Sequence, residues 1–424
     1  MNQPVAGSKP AAAPSFAALR LRGYQAFFFT YILTMMADNV EHVISYWMMF
    51  QKFHSPALGG FAVVSHWLPY LMFAVPVGAL NDKFDSRRLI QAGTLLFTVA
   101  SLGWGYFFVT DSLQMWHACL LLVIHGCASL LWQVSSQLLL HDIVGPATLQ
   151  SAVRLTATAR GLGILVGPAV GAAIMLTLGP THGIMFNAVF YLPLFIWLIR
   201  APYGPRFRAD HKPVPRAVKG LADIVQTIRD IAPHPVLVSM TLLVGIGSFF
   251  IGNSYQTQMP NFAQDLGHGD PGVSYSMLLA ADAAGALFGG FVLESTGALK
   301  PHPRTAFLLA TLWCAALAGF ALVSAYPLAL ILLFIAGFFE LSFSSMAQAL
   351  VQLNAPAAVR GRVIGLYNMS ALGLRTFSGF TVGLLGTMTG VHWSLAISAL
   401  TMLVVVLVLR TRLTRRTATP TAPQ

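Results

Sequence analysis

Long apolar runs separated by short polar turns dominate the sequence and limit what it can fold into. Twelve runs can be counted, at about 24–51, 58–80, 89–109, 115–140, 149–178, 182–199, 235–263, 273–293, 305–325, 328–353, 363–388 and 393–409. A helix needs roughly 20 apolar residues to cross a bilayer, and its backbone polar groups must be satisfied inside the segment. The pattern therefore predicts an all-α polytopic membrane protein with twelve transmembrane helices.

The composition agrees with a membrane protein and excludes several other classes. Only 9% of the residues are charged and 56% are hydrophobic, whereas soluble domains carry about 25% charged residues. The net charge of +11 does not indicate nucleic-acid binding, because the basic residues lie in loops between apolar runs. Three cysteines inside apolar runs predict neither a disulfide framework nor a metal site.

No motif for covalent chemistry is present. The chain lacks Gly-x-Ser-x-Gly, a P-loop and His-Glu-x-x-His, so we expect neither an enzyme nor a bound cofactor. ATP-driven pumping within this chain is excluded on the same ground. A transport function would therefore be driven by an ion gradient or by the gradient of the substrate itself.

The distribution of lysine and arginine predicts the orientation. If both termini are inside, the inner segments hold 21 of these residues and the outer loops hold one, Lys52. Such asymmetry places the basic side in the cytoplasm, so we expect an inner-membrane protein with both termini cytoplasmic. The expected units are a tail over 1–23, a six-helix bundle over 24–200, a central loop over 201–234, a second bundle over 235–410 and a tail over 411–424. The N-terminal tail is not expected to be a cleaved signal peptide.

The central loop contains a segment with helical periodicity at 217–232. Its apolar residues recur every three or four positions: Val218, Leu221, Val225, Ile228 and Ile231. The spacing is typical of an amphipathic helix that lies on the inner membrane face. A soluble connector remains the alternative.

Two pairs of anchors indicate an internal duplication. Pro146-Ala147 and Pro356-Ala357 are 210 residues apart, and Gly78 is 211 residues from Gly289, which precedes Glu294 as Gly78 precedes Asp82. Internal repeats are typical of transporter folds. We therefore expect two pseudo-symmetric six-helix bundles.

The turn between the second and third runs is densely charged. It reads Gly78-Ala-Leu-Asn-Asp82-Lys83-Phe-Asp85-Ser-Arg87-Arg88 and resembles the signature loop of the major facilitator superfamily, except that Asp85 stands where the family usually has glycine. The alternative is that the two arginines are topology charges only. That alternative leaves Gly78 and Asp82 unexplained.

The turn before run 11 reinforces the resemblance. Arg360-Gly361-Arg362-Val, followed by Tyr367-Asn368, resembles the drug–proton antiporter branch that includes macrolide and siderophore exporters. The resemblance implies that Asp82 approaches the positive end of helix 11 in one conformation and leaves it in another. The implied switch comprises Gly78, Asp82, Lys83, Arg87, Arg88, Arg360, Gly361 and Arg362.

Run 5 carries glycine at every fourth position. Gly163, Gly167 and Gly171 form a flat stripe beside Pro168, which is expected to kink the helix. The segment resembles the Gly-x-x-x-Gly-Pro-x-x-Gly motif of drug exporters in the superfamily. The alternative is a packing stripe without a transport role.

Charges inside the runs are the candidates for function, because they are costly in a bilayer. Asp38, Glu41 and His42 share one helical face, and the proton-coupling candidates are Asp38, Glu41, Asp282 and Glu340. The buried basic candidates are Arg154, Arg160 and Arg375. Glu340 and Arg375 could instead form a structural bridge, and His66 and His125 could be hydrogen-bonded core histidines. Aromatic residues could line an apolar drug cavity or anchor the interfaces: Tyr46, Trp47, Trp67, Trp132 and Tyr255.

The resemblance implies proton-coupled export of a small apolar or amphiphilic compound by alternating access. The expected partners are that substrate, protons and the lipid bilayer, with no nucleic acid, and the chain is expected to be a monomer. Substrate–proton uptake is the first alternative, although it would need a denser polar cavity than this greasy sequence indicates. A membrane sensor or assembly partner that does not transport is the second.

Overall fold

The computed structural model describes residues 16–53, 56–204, 207, 219–252, 254–266, 271–297, 299–378 and 385–418, and the regular structure in these ranges is entirely helical. The first half contains the helices α1 (Arg22–Phe53), α2 (Pro56–Lys83), α3 (Ser86–Val109), α4 (Met115–Asn187) and α5 (Leu192–Arg200).

The helix α4 is three consecutive segments rather than one rod. Gly145 (φ 66°, ψ 174°) and Gly179 (φ 73°, ψ 161°) interrupt it in a region of backbone space that favours glycine. A proline follows each glycine, at the first position of the next segment, where its missing N–H costs nothing. The segments 115–144 and 146–178 correspond to predicted spans 4 and 5. Span 6 is the segment 180–187 continued through a short 3₁₀ turn, Ala188–Tyr191, into α5.

The second half is more broken. After the short α6 (Ala222–Ile231) come α7 (Pro235–Phe250), α8 (Ser254–Thr257), α9 (Met259–Asp265), α10 (Pro271–Thr296), α11 (Pro303–Leu322), α12 (Tyr326–Asn354), α13 (Arg360–Asn368), α14 (Arg375–Ser378), α15 (Leu385–Thr389) and α16 (Val391–Ala418). A π-helical turn, Met369–Gly373, separates α13 from α14. Such turns often mark functional positions.

Seven helices in the described ranges are long and apolar enough to cross a membrane by length and composition. They contain nine of the twelve predicted spans, because Met115–Arg200 holds three. The other three spans each have a physical reason to differ. α1 carries Asp38 and Glu41, span 7 is divided among α7, α8 and α9, and span 11 is interrupted by the π turn.

The two halves have separate cores. One large cluster of buried apolar side chains lies almost wholly within 231–406, and two others lie almost wholly within 18–198. A fourth, smaller cluster joins them and includes Val77 of α2, Val134 of α4 and Ile364 of α13. The space between the halves is therefore where a transport site can form.

The helix of the central loop is amphipathic in a different sense from the prediction. Leu221, Val225 and Ile228 are exposed, at 50–54% of their surface, and are free to meet lipid. Asp223, Thr227 and Ile231 are buried against the protein. The sequence-based assignment of Ile231 to the exposed apolar face is wrong, and Val218 lies outside the described residues.

Candidate transport site

The signature loop meets the start of α13. Asp82 Oδ1 accepts a hydrogen bond of 2.6 Å from the Gly361 N–H, and Oδ2 accepts one of 3.2 Å from the Arg362 N–H. The first N–H groups of a helix have no partner inside the helix and carry partial positive charge, so a carboxylate is stabilised there. The structure thus places Asp82 where the resemblance implied. We call Gly78, Asp82, Gly361 and Arg362 the loop–helix contact.

The backbones of the two glycines touch in this contact. A Cβ atom on Gly78 would lie 2.0 Å from the carbonyl oxygen of Gly361, and one on Gly361 would lie 2.1 Å from that of Gly78. No side chain fits on either side without separating α2 from α13. Glycine at both positions is therefore required for the carboxylate of Asp82 to reach the helix end.

Asp85, the departure from the family pattern, caps the next helix. Its side chain accepts a hydrogen bond of 3.0 Å from the Arg87 N–H and forms an ion pair of 2.6 Å with the guanidinium of Arg87. Arg87 also donates a hydrogen bond of 2.5 Å to the carbonyl oxygen of Ala201, where the central loop begins. Arg88 is exposed and donates to Gln91, and Lys83 is exposed. Arg87 is therefore an anchor for the loop, whereas Arg88 and Lys83 have no contact that links the halves among the described residues.

The side chain of Arg362 brings Asp223 of α6 into the loop–helix contact, which the sequence did not predict. Its Nη1 lies 3.4 Å from Asp82 Oδ2, and its Nε lies 3.2 Å from Asp223 Oδ1. Arg362 and Asp223 are each 1% exposed. Asp223 lies in the predicted amphipathic segment 217–232, where only the apolar residues indicated a face. The spacing of Asp223, Thr227 and Ile231 at four residues was the available signal for a protein-facing stripe. Arg360, in turn, lies 3.4 Å from His141.

A second contact between a carboxyl of one half and the first turns of a helix in the other joins the halves through side chains. Ser151, in the first turns of the segment 146–178, donates a short hydrogen bond to Glu294 at the end of α10, and Arg154 lies 3.9 Å from the same carboxyl. Arg154 also donates to the carbonyl oxygens of Leu293 and Leu299. Ser151 and Gly361 are related by the offset of 210 that relates the proline anchors. Both halves therefore place an acid at the start of a helix in the other half.

The candidate carboxyls of α1 converge on one histidine. His125 lies in the segment 115–144. Its Nε2 is 2.8 Å from Oδ1 of Asp38, and its Nδ1 is 2.8 Å from Oε1 of Glu41. The hydroxyl of Ser101, in α3, donates a hydrogen bond of 2.5 Å to the other carboxylate oxygen of Glu41. All three titratable side chains are buried. His125, which the sequence analysis weighed as a core histidine, is the link between Asp38 and Glu41. We call these three residues the histidine triad.

Two further histidines surround the triad. The rings of His42 and His66 lie 4.6 and 5.8 Å from that of His125, and His42 Nδ1 contacts the carbonyl oxygen of Asp38 at 2.8 Å. One ring nitrogen from each of the three histidines lies within 4.8 Å of the others, which is close enough for a metal site after small movements. Both nitrogens of the His125 ring already lie 2.8 Å from carboxylate oxygens, so a metal bound to this ring would have to displace Asp38 or Glu41. We therefore assign no metal here.

The glycine stripe of span 5 packs on the same stretch of α1. Cβ atoms on Gly163 and Gly167 would lie 2.7 and 2.4 Å from side-chain carbons of Met35 and Asn39. Gly171 faces Val40. The stripe therefore sets the distance between span 5 and the helix that carries Asp38 and Glu41. Its expected role in export stays a prediction.

A cavity of about 90 Å³ lies between the halves. Three charged residues line it: Arg160 from the segment 146–178, Glu340 from α12 and Arg375 from α14. Neutral polar side chains add to the lining, among them Gln137, Ser248, Ser344, Gln348 and Asn368. The lining is not the greasy one expected from the sequence, because polar residues that are scattered along the chain converge there. Its aromatic members are Trp313, Phe343 and Tyr367 rather than the five that the sequence analysis named.

A pair of amides in the cavity lining joins the two halves. Gln137 and Asn368 exchange two hydrogen bonds of 3.0 Å each. Asn368 belongs to the Tyr-Asn pair that follows Arg360-Gly361-Arg362. From the loop–helix contact to this pair, the halves are joined on the side of the signature loop.

The second acid cluster borders the cavity. The hydroxyl of Tyr255 donates a hydrogen bond of 2.9 Å to Oδ2 of Asp282 and lies 3.3 Å from Oε2 of Glu340. Gln256 donates a hydrogen bond of 3.0 Å to Asp282. The alternative weighed for Glu340, a structural bridge to Arg375, is not formed as a direct ion pair among the described residues. Glu340 is instead tied through Tyr255 to Asp282.

Comparison with known proteins gives the family of the chain. The sequence model of the Major Facilitator Superfamily matches residues 27–377. The chain belongs to the Major Facilitator Superfamily. It is 23% identical over 383 residues to the multidrug efflux pump Tap of Mycolicibacterium fortuitum. The alignment covers 88% of this chain and 91% of that protein.

Solved structures of other superfamily members share the fold. The proton:xylose symporter XylE has a TM-score of 0.71 at 14% identity and covers 92% of this chain and 95% of its own. The E. coli fucose:proton symporter FucP has a TM-score of 0.70 at 12% identity and covers 92% and 99%. The predicted all-α, twelve-helix fold is thereby confirmed, and the chain is a multi-pass membrane transporter rather than an enzyme.

Proposed function

We propose that this protein exports a small amphiphilic compound in exchange for protons. In this proposal it works by alternating access as a monomer in the inner membrane, with both termini in the cytoplasm. The observation that carries the proposal is the histidine triad. Asp38, His125 and Glu41 are buried side by side in one half, 2.8 Å apart at each contact.

The triad suits proton coupling because it can change charge without help from a fixed cation. A histidine and two carboxyls carry a net charge of −1 when all three are ionised, and each proton bound makes the group more positive. Titratable groups buried in a membrane are costly and mark proton relays more often than packing. Groups this close titrate together rather than singly. The neighbouring His42 and His66 are further titratable groups that can bind protons.

Two observations support alternating access and export. The halves are joined on the side of the signature loop through Asp82, Gly361 and Arg362, and such a contact must open for the other state to form. The efflux pump Tap, at 23% identity over most of both chains, favours export as the direction. Purely apolar substrates are disfavoured because the cavity lining is polar.

Proton-coupled uptake is the second candidate. The sequence disfavours uptake because uptake carriers need a polar cavity, but the cavity lining is polar and includes Arg160, Glu340 and Arg375. A proton on Glu340 would leave two positive side chains unopposed, which would favour symport with an anion. The two candidates differ in the sign of coupling between proton and substrate.

The direction of flux separates the candidates. A strain that lacks its own efflux pumps would express the protein, and a panel of dyes would be followed in intact cells and in everted vesicles with an imposed pH gradient. An exporter accumulates dye in everted vesicles when the lumen is acidic and lowers dye content in intact cells. The reverse pattern would establish uptake, and no gradient-dependent flux in either would contradict both and favour a sensor or assembly role.

A further inference from the structure

The charges that line the cavity do not balance. Two guanidinium groups, on Arg160 and Arg375, face one carboxyl, on Glu340. The arginines come from opposite halves of the transporter, one from α4 and one from α14. A binding site between the halves therefore carries excess positive charge drawn from both of them.

The two arginines differ from the buried arginines elsewhere in the described chain. Arg87 pairs with Asp85, Arg154 lies beside Glu294, and Arg362 contacts Asp82 and Asp223. Arg160 and Arg375 form no ion pair within the described residues, and the Nε of each is buried without a hydrogen-bond partner in the protein.

Their surroundings compensate only part of the positive charge, because Glu340 is the one carboxyl in the lining and its charge acts on Arg375 without a direct ion pair. The side chains that interact with Arg160 are phenols, including those of Tyr31 and Tyr367, which are neutral near pH 7. Glu340 is drawn toward Tyr255, which it shares with Asp282. A buried cation without a partner is costly, and such a cost is expected where a ligand supplies the missing charge.

The backbone next to Arg375 is built to present this side chain. The π turn Met369–Gly373 ends two residues before it, and a Cβ atom on Gly373 would lie 2.6 Å from the backbone of Leu71 in the other half. The guanidinium of Arg375 lies 5.2 Å from the centre of the Trp67 ring. Contact of one face with an aromatic ring restricts the plane of a guanidinium and leaves its N–H edge available to an anion.

We propose that the cavity binds amphiphilic organic anions, with a carboxylate or a similar oxyanion held between Arg160 and Arg375. Arginine pairs with such groups through two parallel hydrogen bonds. The cavity of about 90 Å³ has room for the oxyanion itself, and the stacked rings of Trp313 and Phe343, 5.0 Å apart, offer an apolar wall to the rest of the molecule. The inference rests on the proposed function in one respect, that this cavity is the transport site.

Equilibrium binding of a matched set of probes tests the proposal. Dansylglycine carries one carboxylate, its amide is neutral, and dansylaminoethyl-trimethylammonium is a cation with the same fluorophore. Binding would be followed by dansyl fluorescence with the purified transporter in nanodiscs and no ion gradient. We expect dansylglycine to bind at least about tenfold more tightly than the amide, and the cation to bind most weakly, because one charge-assisted contact contributes that much.

Substitutions assign the effect to the two arginines. Arg160→Gln and Arg375→Gln should each reduce the affinity for dansylglycine to near that of the amide, so that the ratio of the two affinities approaches one. Arg304→Gln, which removes an exposed arginine outside the cavity, should change neither. Arg375→Lys keeps the charge and should recover part of the affinity, which separates loss of charge from loss of folding.

Dansylglycine that binds no more tightly than the amide, or not at all, would overturn the proposal, as would full affinity in both glutamine variants. The assay contains no gradient, so its outcome does not depend on coupling or direction. Charge-selective binding without pH-driven flux would contradict the proposed function and keep the anion site.

Discussion

Asp82 accepts a hydrogen bond of 2.6 Å from the backbone N–H of Gly361, across 279 positions of the sequence. This bond joins the end of α2 in one half to the start of α13 in the other. The acid is held by the helix end itself, through two N–H groups, and by the side chain of Arg362. A contact that depends on one negative charge at a helix end is easily made and broken, which suits a conformational switch.

Asp82→Asn should reduce transport by at least about tenfold while the protein remains inserted and monodisperse. The amide keeps the size of the side chain but removes the charge that the helix end stabilises, and a charge-assisted bond contributes about 1.5–3 kcal/mol. Initial rates in everted vesicles would measure the effect. The matched control is Asp111→Asn, which removes an exposed carboxylate from an ion pair of 2.6 Å with Lys52 in the loop after α3. Normal transport by Asp82→Asn would mean that the loop only sets topology.

Asp223 should act through Arg362, and therefore together with Asp82. Asp223→Asn leaves Arg362 with one carboxylate instead of two, so the loop–helix contact should weaken and the rate of transport should change. Because both acids contact one guanidinium, the double variant with Asp82→Asn should be clearly non-additive. Double electron–electron resonance between spin labels on α3 and α16 would report the opening on this side. Additive effects in the double-mutant cycle would show that Asp223 only holds α6 in place.

Asp38→Asn should abolish transport driven by a pH gradient while substrate binding and downhill exchange are retained. The substitution removes one of the two carboxyls that contact His125, so the histidine triad can no longer complete its change of charge. We expect Asp38 to be the main proton carrier and Glu41 to tune it. Exchange of labelled substrate without a gradient is the control for each variant. Unchanged pH-driven transport by the double variant Asp38→Asn, Glu41→Gln would move the coupling site to Asp282.

Orientation can be tested with single cysteines in a background that lacks Cys119, Cys127 and Cys314. Ser112→Cys, in the exposed loop after α3, should react with an impermeant maleimide added to intact cells. Arg229→Cys, exposed on α6, should react only after the membrane is opened. The expectation follows from the strong excess of lysine and arginine on one side of the predicted spans. Labelling of Arg229→Cys from outside would contradict it.

The sequence predicts features that repeat locally or belong to the family. Apolar run lengths gave the helices, and the i, i+3 spacing of Asp38 and Glu41 placed both on one face of α1, where the structure has them. The approach of Asp82 to the start of predicted span 11, which is α13 in the structure, followed from the resemblance alone. The breaks at Gly145 and Gly179 coincide with the boundaries of predicted spans 4, 5 and 6, because glycine followed by proline ends one helix and begins the next.

The missed residues are those whose partners lie far along the chain. His125 is 84 positions from Glu41, and nothing in its own apolar neighbourhood distinguishes a core histidine from a bridging one. Arg362 meets Asp223 across 139 positions. Arg160 and Arg375 line one cavity only because two halves of separate sequence pack together. Such convergence is a property of the packed helices, and periodicity within a single helix carries no record of it.

Proton movement during substrate flux tests the central claim most directly. The purified protein would be placed in liposomes that contain a pH-sensitive dye, and the compound with the strongest flux in the vesicle assay would be added outside, with no pH gradient and the membrane potential clamped. Proton exchange predicts that the lumen becomes more alkaline as substrate enters, and that Asp38→Asn abolishes this change. Acidification of the lumen would establish symport, and substrate entry without a change of pH would show that protons are not coupled; either result would contradict the account.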